Sequence, residues 1–85
     1  MAERQEGRVA AVNRVRGRIA VELETGGYSV ADLLGDADVE RGDTLEGELR
    51  THGNTVWHSM RTGRALPVYV EVYDAGGENV RQLLR

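Results

Sequence analysis

Eleven arginines and no lysine supply every fixed cation of this 85-residue chain. A guanidinium is a planar fork of donors that suits phosphate and carboxylate, so arginine placement is the first chemical signal to follow. Arg8, Arg14, Arg16 and Arg18 surround one predicted hairpin, and strand alternation would put Arg14, Arg16 and Arg18 on one side. That is a candidate anion patch. The competing use is cross-strand pairing with Glu22, Glu24, Glu46 and Glu48. Arg61 lies in a second basic stretch. Trp57 is a candidate for stacking on a base or anchoring a partner, and equally for filling a core. Tyr69 and Tyr73 share a strand face about 13 Å apart, where they either meet a ligand or lie under a C-terminal helix.

The remaining polar residues do not converge on catalysis. His52 and His58 lack the i, i+4 helical spacing of a zinc pair, and His52 falls at a strand end beside Gly53. Ser29 and Ser59 have no nucleophile elbow around them, and no glycine-rich loop matches a phosphate-binding loop. The carboxylates alternate outward rather than meeting. No catalytic residue, metal site or cofactor is therefore expected, and the chain is expected not to be an enzyme.

Charge divides the sequence although the net value is only −3. Residues 1–20 hold five Arg against two Glu, and residues 50–64 hold Arg50, Arg61 and Arg64 with no acid. Residues 21–49 hold nine acids against Arg41 alone. A negative total argues against a protein held to nucleic acid by bulk electrostatics, while a local patch remains able to act. Cysteine is absent, which removes disulfides, thiolate chemistry and the common zinc and iron-sulfur sites. No apolar run approaches the ~20 residues of a membrane span and the opening residues form no signal core, so a soluble, cytoplasmic protein without membrane contact is expected. The length implies one domain over residues 1–85, with 1–6 as a flexible N-terminus.

The elements that must position these residues read as strands. Ile19, Val21 and Leu23 alternate with polar or small residues, as do Leu45, Gly47 and Leu49, and Val68, Val70 and Val72. Arg8 to Val12 would pair with the Ile19 strand through Asn13 to Gly17, and shorter runs follow Gly26-Gly27 and Gly53-Asn54. Ala31-Asp32-Leu33-Leu34, ended by Gly35, predicts a helical turn after the third strand. Asn79 is the expected cap of a short C-terminal helix whose Val80, Leu83 and Leu84 dock on the barrel. The expected fold is all-β: a small five- or six-stranded antiparallel barrel, closed or partly open. Its core is expected to contain Val9, Val12, Ile19, Val21, Leu23, Val30, Leu45, Leu49, Val68, Val70 and Val72.

This order of signals resembles the OB-fold nucleic-acid-binding domains, in particular cold-shock domains and the RNA-binding barrels of ribosomal proteins and initiation factors. The resemblance rests on Gly7-Arg8-Val9, Gly17-Arg18-Ile19-Ala20-Val21, Gly27-Tyr28 and Val39-Glu40-Arg41-Gly42-Asp43-Thr44-Leu45, spanning residues 7 to about 49. It implies single-stranded RNA or DNA laid across the second and third strands, with bases on aromatic rings and phosphates on basic residues. The chain departs from the cold-shock pattern in offering Arg16, Arg18, Ala20 and Glu22 where that family presents phenylalanines. Base stacking is worth ~1–3 kcal/mol per base, so the implied affinity is weak. The contacts expected are Arg14, Arg16, Arg18, Tyr28, Trp57 and Arg61. The alternative is a protein-interaction module whose acidic segment between 32 and 48 meets a basic partner.

Overall fold

The computed structural model describes residues 4–85. Six strands, β1 (Gln5–Asn13), β2 (Arg18–Leu23), β3 (Tyr28–Leu33), β4 (Thr44–Gly47), β5 (Gly53–Ser59) and β6 (Ala65–Ala75), precede one helix, α1 (Gly77–Leu83). The strands close into a barrel in the order β1-β2-β3-β6-β5-β4, with every neighbouring pair antiparallel. Closure gives every strand a hydrogen-bonded neighbour on each side. The all-β expectation holds, and a closed six-stranded barrel is compatible with an OB-like one, whose usual form has five strands and is partly open.

The interior is aliphatic around one indole. Val9, Ile19, Val21, Leu23, Leu45, Leu49, Val68 and Val70 fill it as the alternation required, joined by Ala31, Val39, Leu66 and Trp57. Ser29 also points inward, and its hydroxyl donates to the Leu49 carbonyl at 2.6 Å, so that hydroxyl is not left bare. β4 stops at Gly47, which has φ 151° and a backbone so close to Trp57 that an added Cβ would lie 2.9 Å from Cδ1.

Bulges in two strands bear on the predicted core. In β1 the register slips between Val9 and Ala11, which lets Val9 and Val12, three residues apart, both serve the interior. In β6 the register slips so that Val70 opposes Ala31 while Val72 opposes Val30. Val72 therefore leaves the interior and joins Ala20 and Val30 in a second cluster on the outside, covered by α1; Val30 faces outward by the regular alternation of β3, which pairs β2 without a slip and sets Val30 opposite Ala20. Strict alternation predicts Val72 in the core, and Val30, also expected there, is corrected with it.

Three further expectations are corrected. Ala31 to Leu33 continue β3 instead of forming a helical turn: four residues are too few to nucleate a helix, whereas the strand pairs on both sides with β2 and β6. α1 starts at Gly77 with Gly76 as its N-cap and no capping side chain, so Asn79 does not cap it. Of the N-terminus expected to be flexible, residues 1–3 lie outside the described residues, while Gln5 and Glu6 belong to β1 and oppose Gly47 and Glu46. The helix docks as its apolar spacing required, through Val80, Leu83 and Leu84. Among the described residues no helix is long and apolar enough to cross a membrane.

Candidate nucleic-acid interface

Antiparallel order places three connections at one end of the barrel: the β1–β2 turn, the β3–β4 connection over residues 34–43, and the β5–β6 turn over residues 60–64. The β1–β2 turn is locally determined. Asn13 accepts the Arg16 backbone N–H on Oδ1 at 3.1 Å, and Gly17, at φ 67°, turns the chain into β2. This holds Arg14, Val15 and Arg16 outward, with Val15 98% exposed at the tip. Arg14 donates one Nη2 hydrogen bond to the Val39 carbonyl at 3.2 Å, and neither Arg14 nor Arg16 has a carboxylate partner among the described residues.

The other four expected contacts are placed differently. Arg18 opens β2 and is consumed inside the fold: Nε meets Asp32 at 2.6 Å, Nη2 lies 3.9 Å from Glu71, and Nη1 donates to the Leu83 carbonyl at 2.8 Å. Arg61 binds Asp43 at 2.7 Å, Asp38 at 3.1 Å and Glu40 at 3.7 Å, tying the β5–β6 turn to the β3–β4 connection. Tyr28 is half-buried beside α1 with its hydroxyl 3.3 Å from Glu22. Trp57 is fully buried and donates Nε1–H to the Glu48 carbonyl at 3.1 Å. It has no ring face left for a base, which corrects its assignment as a contact. The outward face of β2 and β3 that the resemblance offered as a platform is Ala20, Val30 and Tyr28, and α1 packs on it.

The ion pairs set the local titration. The Arg61 guanidinium holds the Asp43 carboxyl below the usual aspartate range against the opposing effect of burial, with the Glu40 backbone N–H adding to the depression. Arg18 does the same for Asp32, whereas Glu71 is raised because it shares a hydrogen bond with the Asp32 carboxylate.

Arg41 and Arg64 were not selected from the sequence, yet they lie in the same end's connections without carboxylate partners among the described residues. Their signal was available in the turn-forming neighbours Gly42-Asp43 and Gly63. A cleft of about 340 Å³ opens between the β1–β2 turn and the β3–β4 connection, lined by Arg14, Val15, Arg16, Leu33, Asp36 and Ala37 among others. A smaller cleft of about 220 Å³ surrounds Arg8, but Glu6, Glu22 and Glu24 share it.

Other residues are dispersed. Tyr69 is half-buried with its ring edge-on to His52 at 5.8 Å, while Tyr73 is exposed beside α1. His58 opposes Glu46 on the outer sheet surface. Among the described residues no three His, Asp or Glu side chains are grouped to hold a metal ion. In the acidic segment, Asp32, Asp38, Glu40, Asp43 and Glu46 are already paired with arginines, leaving Asp36 and Glu48. Comparison with known protein families, with curated proteins and with solved structures finds no match to this chain.

Proposed function

We propose that this chain is a small, non-enzymatic binding module for single-stranded nucleic acid, RNA foremost, acting in the reducing cytoplasm and gripping phosphates weakly at the turn-bearing end of its barrel. The observation that supports this reading is the gathering of Arg14, Arg16, Arg41 and Arg64, unmatched by carboxylates among the described residues, in three connections that share one end. Guanidinium groups spread over three connections suit a flexible polyanion, which can reach several of them at once. With Trp57 buried and Tyr28 under the helix, stacking contributes little, so affinity rests on charge and falls steeply with salt. A basic protein partner on the acidic segment has less behind it, because most of those carboxylates are internally neutralised.

The test is a titration of the full chain with a mixed-sequence single-stranded RNA, followed by amide chemical shifts at low and moderate salt. Shifts are expected at residues 13–17, 40–42 and 62–65, disappearing as salt is added. A spectrum unmoved by RNA at low salt removes the proposal.

A further inference from the structure

The cleft at the turn-bearing end is more than a charged rim. Its floor contains Val12, Leu33 and Ala37, the three partly buried apolar residues that lie against the barrel core. The cleft is therefore the mouth of the barrel, where the aliphatic interior reaches the surface without being covered. Arg14 and Arg16 stand on one wall and the exposed Asp36 on the opposite connection. Asn13 also lines it, but its amide is occupied: Nδ2 donates to the Leu84 carbonyl and Oδ1 accepts from Arg16. The groups left to meet a ligand are two cations, one carboxylate and an apolar floor.

We infer that this cleft is a binding site for one nucleotide unit, with the base on the Val12, Leu33 and Ala37 floor and the phosphate against Arg14 and Arg16. The inference deepens the single-strand reading and rests on it for the source of the nucleotide. Three features select this class. An inorganic anion would satisfy the guanidinium groups and leave the apolar floor wet. A fatty or aromatic acid would cover the floor but place nothing against Asp36, whose carboxylate accepts hydrogen bonds only. A nucleotide has a base with a flat apolar face and N–H donors on its edge, and a phosphate at its far end, in the order that the floor, Asp36 and the arginines require. The volume of about 340 Å³ sits at the lower end of the roughly 300–1,000 Å³ span of ligand pockets, room for one unit and not for a stretch of strand.

Gly35 gives a way to close the cleft without disturbing the barrel. It lies on the lip, a Cβ added there meets nothing within 4 Å, and its backbone is not among the positive-φ glycines. Gly35→Leu should therefore fold normally and fill the mouth, while Arg16→Gln removes one cation. The experiment titrates the full chain separately with cytidine monophosphate, cytidine, inorganic phosphate and a single-stranded RNA, reading amide shifts. The expected result is that the monophosphate moves residues 12–17 and 33–37 together and binds about tenfold more tightly than phosphate or cytidine. Gly35→Leu should abolish the response of residues 33–37 while keeping the phosphate response at 14–17, and Arg16→Gln should weaken both. A monophosphate response identical to that of inorganic phosphate, confined to residues 14–17, overturns the nucleotide site. RNA that moves the rim while the monophosphate leaves the cleft untouched overturns it too, and leaves the single-strand reading standing. A monophosphate response without an RNA response keeps the cleft as a nucleotide site and removes the single-strand reading.

Discussion

At the scale of single residues, Trp57 and Asp43 carry structural duties that their side-chain types alone did not declare. Trp57 is the largest buried side chain, and its Nε1–H meets the Glu48 carbonyl just past the end of β4. Trp57→Phe keeps an aromatic ring in the core and removes that donor, so stability should fall by about 1–3 kcal/mol, the usual cost of leaving a buried acceptor unmatched. Urea unfolding measures this, and RNA affinity measured on the folded variant should be unchanged. A selective loss of affinity would mean that the indole touches ligand after all. Asp43 predicts a pH effect. Its folded carboxyl titrates below the unfolded aspartate value of about 3.9, so the stability it contributes is complete above about pH 4 and is lost as pH falls through the folded value. Asp32, held down by Arg18, has the same sign, while Glu71, whose pKa is raised, has the opposite one and favours the folded state below its unfolded value. Asp43→Asn should therefore flatten, without abolishing, the decline of melting temperature below pH 4. An acid limb parallel to that of the unsubstituted chain would show that the Arg61 pair is not its source.

At the scale of elements, the barrel and the helix rest on different packing. The interior cluster contains no α1 residue, whereas Val80, Leu83 and Leu84 meet Ala20, Val30 and Val72 on the outer surface. Removing residues 77–85 should leave a folded barrel with intact chemical-shift dispersion among interior amides but a lower melting temperature. Val80→Ala should cost about 1–2 kcal/mol, since it deletes buried methylene-scale groups from a partly exposed seam. Global loss of dispersion on truncation would show that the two clusters are one cooperative unit. The same division explains what was legible beforehand. Alternating aliphatics reveal strands because the side-chain period is two, and the hairpin and Gly-bounded turns follow from backbone chemistry; the six strands were readable on those grounds. A bulge adds one residue without changing composition, so the reversal that carried Val72 outward was invisible in the pattern, whereas Val30 faces outward by the regular alternation of β3 against β2. The arginine hairpin was readable for a related reason and to the same limit. Charge and turn chemistry located Arg14, Arg16 and Arg18 together, but only the fold shows Arg18 turned to Asp32 and the Leu83 carbonyl while Arg16 remains available. Arg41 and Arg64 reach the same end through antiparallel topology, which spacing along the chain cannot express.

At the scale of the whole molecule, the net charge of −3 conceals a polar arrangement. With Asp38, Glu40 and Asp43 paired to Arg61, the charges left unpaired among the described residues at the end with the β1–β2, β3–β4 and β5–β6 connections are Arg14, Arg16, Arg41 and Arg64 against Asp36, while Glu24 in the β2–β3 turn and Glu48 after β4 lie at the other. The principal extents are 31, 30 and 22 Å, so the molecule is several times the ~8 Å screening length of physiological salt across and about one ~30 Å length at 0.01 M. The distant carboxylates should therefore oppose a polyanion only in dilute salt. If four arginines each displace a counterion from a single strand, the logarithm of the affinity should fall with the logarithm of salt concentration at a slope of about −3, and Arg16→Gln should bring it nearer −2. The double substitution Glu24→Gln with Glu48→Gln should tighten RNA binding at 0.01 M salt and change it little at 0.15 M, because screening already silences those charges there. Fluorescence anisotropy of a labelled oligonucleotide across the salt series measures all three proteins. An equal gain at both salt concentrations would put the strand beside those carboxylates, at the opposite end of the barrel from the arginines.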